Sequence, residues 1–374
     1  MGGASFSLQR RLQPASVALI EPFFRGAVSG RFIADSRLIE LNASRYTRIR
    51  MKSLVTGGAG CIGSDLACAL VSRGDQVVVV DNLSSGKEEH IAPLLGNPTF
   101  KFIEGDLEEP AVMDSALPGV EMVWHLAANP DVKFTAGDPT DRDLRQNTLV
   151  TYNVLEAMRR HDVKKLAFAS TSAVYGICPR QPIPEDAPFP QPISLYGATK
   201  LSCEAMISAF QNLFEMRCWI FRFANIVGPK VRKKGGTVIG DFITRLRANP
   251  QALRILGDGK QAKSYLLSAE CVDAMFFVVD HATAPLNVYN LGCDDSLSVT
   301  SIADLVVEAM GLSGVEYQFT GGEGGWPGDV PRFRLDVSAI NHLGWTARNN
   351  SRQAVESAIR STLALMDESQ VCRQ

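Results

Sequence analysis

A short apolar run, Ser53-Leu54-Val55-Thr56, breaks into Gly57-Gly58-Ala59-Gly60-Cys61-Ile62-Gly63 and resumes as a helical pattern carrying Leu66, Ala69 and Leu70. Nothing else in the chain restricts the fold so tightly. Glycines three apart permit a tight turn from strand into helix and allow close backbone approach. Amides at the start of that helix can then face an anion, and a pyrophosphate fits such a turn. A second β-rich run, 76–80, ends in Asp81, at the offset expected of a carboxylate that accepts hydrogen bonds from an adenosine ribose. Strand, glycine turn, helix, strand and acid in that order read as a dinucleotide-binding unit. Asp81 would repel a 2′-phosphate, and no Arg or Lys directly follows it, which points to NAD rather than NADP. Lys87 lies farther along.

From Met51 the chain alternates β-rich runs with helical patterns. Strand candidates are 53–56, 76–80, 99–104, 122–127, 165–170 and 218–223, with helical stretches such as 144–160 and 196–214 between them. This alternation predicts an α/β fold built on a doubly wound parallel sheet. Ligands on such sheets bind beyond the carboxyl ends of the strands. Gly57, Asp81, Asp106, Ala127, Thr171 and Asn225 all fall at or just past those ends. After Asn225 the pattern loosens, and Pro229, Gly235, Gly236, Pro250 and the glycine-rich 321–328 mark loops of a smaller unit. The expected division is 1–50 as an N-terminal extension outside the fold, 51–224 as the NAD-binding domain and 225–374 as mainly a substrate domain, partly interleaved with the first.

The extension holds eight Arg and no Lys, loosely like a transit peptide, although an upstream start or a disordered extension is the plainer reading. We assign it no chemistry. Hydrophobic content of 45%, 21% charge and a net charge of −2 describe a globular enzyme rather than a nucleic-acid binder. No apolar run approaches the roughly 18 residues that cross a bilayer. Eight cysteines lack CxxC or His-paired spacing. They read as reduced buried thiols in a cytoplasmic setting, with no metal.

Tyr196-Gly197-Ala198-Thr199-Lys200 adds chemistry. Tyr and Lys four apart on a helix share a face, so an ammonium can lie near a phenol, favour phenolate and bring the Tyr pKa toward working pH. That is what a general base or acid for an alcohol requires. A hydroxyl from Ser170-Thr171-Ser172, at another strand end, completes a proton-handling trio.

Together these residues resemble the extended short-chain dehydrogenase/reductase family, and within it the UDP-glucose 4-epimerase-like nucleotide-sugar enzymes. The likeness covers about residues 51–345 and rests on TGGAGCIG (56–63), DNLSSG (81–86), GDL (105–107), HLAA (125–128), STSAVYG (170–176), YGATK (196–200), RFANIVGP (222–229), LGDGKQAKSY (256–265) and GWPGDV (325–330). It implies a Rossmann domain with a smaller interleaved C-terminal domain. For the cofactor it implies that Gly57, Gly60, Cys61, Ile62 and Gly63 hold the pyrophosphate; Asp81, Asn82 and Ser85 the adenosine ribose; and Asp106 and Leu107 the adenine. Leu126, Ala127 and Ala128 would line the cofactor with Asn147 beside it, Lys200 would contact the nicotinamide ribose and Phe223 would flank the nicotinamide. Tyr196 would take the sugar 4-OH proton, with Thr171 as hydroxyl partner and Ser172 beside it. Asn225, Thr237, Val238, Leu256, Lys263 and Asp329 match positions that grip the nucleotide and diphosphate.

The chain departs from the pattern at Lys263, where relatives often have Arg, at Trp326, often Arg in the hexose epimerases, and at Pro130, where those enzymes carry Lys. By the same resemblance, oxidation at C4 is the shared first step, and the residues around the keto-sugar decide its fate. Dehydratases of this kind read STDEVYG and UDP-glucuronate decarboxylases STSEVYG; here Ala173 offers only a methyl group, which leaves 4-epimerisation. Four cations in Lys230-Val231-Arg232-Lys233-Lys234 suit a uronate carboxylate, with Arg232 as its partner, or else form a solvated basic loop that serves the diphosphate or nothing. This places UDP-glucuronate/UDP-galacturonate marginally ahead of UDP-glucose/UDP-galactose or their N-acetyl counterparts. A non-catalytic NAD- or nucleotide-sugar-binding protein is the reading from another class. In relatives the helices bearing Asn147 and Tyr196 pair across a homodimer, and Leu201, Ala205, Met206, Ala209 and Phe210 leave a face for that.

Overall fold

The computed structural model describes residues 50–371 apart from 136, 189 and 231–236. The 1–49 segment, on which the expected extension rests, and Arg232 therefore lie outside the described residues.

Seven parallel strands form one sheet: β1 (Lys52–Thr56), β2 (Gln76–Asp81), β3 (Phe100–Glu104), β4 (Met122–His125), β5 (Lys165–Thr171), β6 (Arg217–Phe223) and, after a short β7 (Asn225–Val227) outside it, the edge strand Leu286–Leu291. Their order is Leu286–Leu291, β6, β5, β4, β1, β2, β3. The chain thus winds outward from β1 in one direction and then, from β4, in the other. The point of reversal lies between β1 and β4, where a crevice opens above the strand ends.

The strands form because their side chains serve both faces. Val55, Val77, Val79, Met122 and Trp124 point into one core, with Leu66 and Leu70 of helix α1 (Cys61–Ser72) and with Cys271 and Met275. Leu54, Val78, Val80, Val123 and Leu166 point into the other. There they meet Met113 of α2 (Pro110–Ala116), Val154 and Met158 of α3 (Val150–Arg160), and Cys203 and Ile207 of α4 (Leu195–Phe214). Strands buried on both faces read as near-continuous apolar runs.

A third core gathers Val227, Ile239 and Phe242 of α5 (Val238–Ala248), Ile302 and Val306 of Val299–Ala309, and Val355 and Ile359 of the last helix, Ser351–Val371. Val227, Phe242 and Tyr265 of this core also line the crevice, as part of its other wall. The expected 144–160 helix is in fact a π-helical turn, Leu144–Leu149, followed by α3. Asn147 is the one buried residue of that wider turn. No helix among the described residues is long and apolar enough to cross a membrane.

Candidate active site

The turn from β1 into α1 is shaped by close contact. Gly57 has φ +68°, and a Cβ there would lie 2.7 Å from the Ala127 amide nitrogen; one at Gly63 would lie 2.2 Å from the Gly57 carbonyl oxygen. Larger residues would push the turn off β4 or the helix off the turn. Gly60 caps α1 with no side-chain hydrogen bond, and the first turn carries no acid. The positive end of the helix therefore faces the crevice, a cradle that fits a pyrophosphate.

At the end of β2 the Asp81 carboxylate accepts from the Ala59 amide at 2.9 Å and the Leu83 amide at 2.8 Å, so it is held against the glycine turn. Asn82 donates to Asp106 at 3.0 Å, which joins the ends of β2 and β3. His125, at the end of β4, is fully buried between Thr56 (2.7 Å) and Thr151 (3.1 Å). Burial, with the Lys200 charge adding to it, pulls its pKa down to about 3, so the ring is neutral and structural. Thr56 Oγ1 also accepts from the Ala127 amide at 3.2 Å. His125 and Thr56 thus fix the backbone that carries Leu126, Ala127 and Ala128.

Two more glycines bring together the elements that carry the candidate trio of Thr171, Tyr196 and Lys200. A Cβ at Gly176 would meet the Gln191 carbonyl oxygen at 1.8 Å, and one at Gly197 would meet the Ala173 carbonyl oxygen at 2.5 Å. The start of α4 therefore sits directly on the turn after β5, and Ser194 caps it by accepting from the Gly197 amide at 3.0 Å. Thr171 Oγ1 accepts from the Ala173 amide at 3.1 Å. Lys200, only 2% exposed, donates to the Ala169 carbonyl at 2.8 Å and lies 4.6 Å from the Phe168 ring centroid. Burial pulls its pKa down to about 8 from 10.5. Between those values the native state binds fewer protons than the unfolded chain, so this group's contribution to stability rises with pH through that window.

One turn beyond Lys200, Glu204 forms a buried ion pair with Arg222 of β6 (Nη2 to Oε2, 2.7 Å) and accepts from Ser170. Arg222 also donates to Tyr175 Oη at 2.9 Å, and Tyr175 donates to Asn290 at 2.8 Å. Burial pushes Tyr175 up to about 12. Of these five residues, sequence reasoning singled out only Ser170, as one of three candidate hydroxyls. Tyr175 and Arg222 lie within the STSAVYG and RFANIVGP motifs, whereas Glu204 and Asn290 fall in none of them.

The opposite wall carries Phe223 at the end of β6, Asn225 at the start of β7, and Thr237, which caps α5 by accepting from the Gly240 amide at 3.2 Å. Lys263 pairs with Asp329 at 2.6 Å and lies 5.2 Å from the Trp326 ring centroid. Asp329 also accepts from the Gly325 amide at 2.9 Å. The departures at 263 and 326 thus pack against each other.

A cavity of about 770 Å³ joins the two walls. Its lining includes Gly57, Gly60, Cys61, Ile62, Gly63, Asp81, Asn82, Ser85, Asp106, Leu107, Leu126, Ala127, Ala128, Thr171, Ser172, Tyr196, Lys200, Phe223, Asn225, Thr237, Val238, Leu256, Lys263 and Asp329. Asn147 is the exception among the described candidates. It does not line the cavity but lies buried behind it, accepting from the Asn129 amide at 2.9 Å and donating to Thr199 at 3.0 Å. Its placement is that of a brace between the π-helical turn and α4. Among the described residues no group of three or more His, Cys, Asp or Glu is placed to hold a metal.

A nucleotide cradle and a Tyr-Lys pair on one cavity define a dinucleotide-dependent enzyme acting on an alcohol. Residues 53–292 match the NAD dependent epimerase/dehydratase family, and the chain belongs to it. It is a UDP-glucose 4-epimerase-like member, and its cofactor is NAD. The chain is 32% identical over 304 residues to a UDP-glucose 4-epimerase of Mycolicibacterium smegmatis, covering 79% of this chain and 93% of the relative. A crystal structure of a UDP-galactose 4-epimerase superposes with TM-score 0.74 at 37% identity, over 84% of this chain and 99% of that one. A UDP-glucuronic acid 4-epimerase from Bacillus cereus, in complex with UDP-glucuronic acid and NAD, superposes with TM-score 0.76 at 27% identity, over 84% and 100%.

Proposed function

We propose that this protein is a 4-epimerase of UDP-hexoses, interconverting UDP-glucose and UDP-galactose. The observation that carries the reading is one cavity joining the glycine turn and Asp81 to the Thr171, Tyr196 and Lys200 trio and to the Asn225 and Lys263 wall. The names of the relatives support hexose over uronate, which reverses the order favoured from the basic 230–234 run. Lys230 of that run is engaged with Asp65 on the cofactor side.

In this reading the 57–63 turn holds the pyrophosphate, Asp81, Asn82 and Ser85 the adenosine ribose, and Asp106 and Leu107 the adenine. Leu126, Ala127, Ala128 and Phe223 wall the nicotinamide end. NAD, when bound, supplies a hydride acceptor and donor at the sugar C4, so no net redox change results. Tyr196 takes the proton of the 4-hydroxyl and later returns one. Lys200, cationic at neutral pH because its pKa stands near 8, stabilises the phenolate. Thr171 and Ser172 orient the hydroxyl, and Ala173 offers no second acid or base to remove water or a carboxyl group. Asn225, Thr237, Val238, Leu256, Lys263 and Asp329 hold the nucleotide diphosphate. The free thiols among the described residues support a reducing, cytoplasmic setting.

Asp81→Ser is expected to weaken NAD binding about tenfold or more and to relax rejection of NADP, since it removes both hydrogen bonds and repulsion. Cofactor titration checks this, and unchanged selectivity would count against the assignment. A homodimer is proposed through the π-helical turn, α3 and α4, whose Leu149, Tyr152 and Leu213 respectively are exposed. A monomeric mass in solution at micromolar concentration would oppose it.

The UDP-glucuronate reading stays as the second, supported by the Bacillus cereus likeness. The test is a panel of UDP-sugars with products separated by chromatography. Interconversion of UDP-glucose and UDP-galactose is expected. Turnover of UDP-glucuronate alone, with Arg232→Ala raising its KM at least tenfold, would give the second reading the lead.

A further inference from the structure

Lys230 takes no part in the proton or hydride transfers, yet its contacts are specific. It comes after β7 and reaches across the crevice to the first turns of α1. Its carbonyl accepts from Cys61 Sγ at 3.3 Å. Its ammonium donates to Ser64 Oγ at 2.8 Å and lies 2.6 Å from Asp65 Oδ1. Asp65 is the sole acid in α1, and it lines the cavity.

A carboxylate near a helix N-terminus is favourable while no other anion is there. Here the same helix end faces the cradle in which a doubly charged pyrophosphate is to sit. An uncompensated Asp65 would oppose that anion, and with both side chains of the pair only 21% exposed, water screens the repulsion incompletely. Lys230 cancels the charge at its source, and its carbonyl ties the same loop to Cys61 in the glycine turn.

We propose that Lys230 is a cofactor-retention residue, which neutralises Asp65 beside the pyrophosphate turn and thereby keeps NAD bound through repeated turnovers. The inference rests on the reading of 57–63 as the pyrophosphate site. An enzyme that regenerates its cofactor in each cycle gains from slow release, and a charge pair behind the cradle supplies this without blocking the sugar side.

Lys230→Met keeps the aliphatic stem and removes the charge. The holoenzyme is dialysed against NAD-free buffer, the retained NAD is released by denaturation and quantified, and rebinding is titrated. NAD retention is expected to weaken roughly tenfold in Lys230→Met and to return to within about threefold of wild type when Asp65→Asn is added. Wild-type retention in Lys230→Met would overturn the proposal. So would a loss that Asp65→Asn fails to rescue, because the lysine would then act only as a mechanical tie. Thermal midpoints of the NAD-free proteins, expected to match, separate cofactor loss from unfolding. Asp81→Ser run in parallel isolates the underlying reading: unchanged NAD retention there would reject the placement of the cofactor rather than the role of Lys230.

Discussion

Tyr196→Phe is expected to lower kcat by about three orders of magnitude while NAD stays bound and the fold is kept. The ring is retained, and the glycine contacts that seat α4 on the Ser172–Tyr175 turn do not involve the phenol oxygen. Only the titrating atom is lost. Among the described residues, no other group on the cavity combines a place one turn from a buried Lys with a neighbouring strand-end hydroxyl. Single-turnover kinetics and the NAD content of the purified variant check both halves. A variant that loses NAD, or that keeps a tenth of the wild-type rate, contradicts the assignment.

The second large effect concerns stability. Glu204 and Arg222 are 6% and 8% exposed and satisfy one another together with Ser170 and Tyr175. Truncating either one leaves a buried charge without its partner, which costs about 3–5 kcal/mol. Glu204→Ala and Arg222→Ala should each show that loss in urea unfolding. Replacing both by apolar residues of similar volume should recover much of it, because the desolvation cost of both charges disappears together. The network ties the end of β5, the middle of α4 and the end of β6, which are the elements that carry Thr171, Lys200 and Phe223. Single-variant losses below about 1 kcal/mol would mean that this tie is not what holds the candidate site's elements together.

Much of this architecture was legible in the sequence because buried parallel strands are continuous apolar runs with glycine or an acid at their ends. The six strands read that way lie where expected, with ends shifted by a residue or two. Leu286–Leu291 escaped because Asn287 and Asn290 interrupt its apolar pattern. Both are buried in the structure, Asn287 donating to the Cys218 carbonyl at 3.2 Å and Asn290 accepting from Tyr175. Polar residues satisfied by partners distant in the chain cannot be told from surface residues by periodicity. Arg222 within β6 poses the same problem, since its partner is on α4.

At the site, many of the motif residues converge because they occupy strand ends or helix starts, which the topology brings to one edge of the sheet. Asn147 was read from its position in the resemblance and lies one layer deeper, bracing Thr199. The Lys230–Asp65 pair had no sequence signal, being 165 residues apart and joined only when β7 is laid beside the crevice.

In the epimerase reading proposed above, hydride leaves C4 of the sugar and returns to it within one enzyme that needs no added cofactor. UDP-galactose carrying deuterium at C4, incubated with the purified holoenzyme, tests it most directly. UDP-glucose with the deuterium retained at C4, and none released to solvent, is expected. Loss of the label to water, or formation of a product other than the 4-epimer, would contradict it.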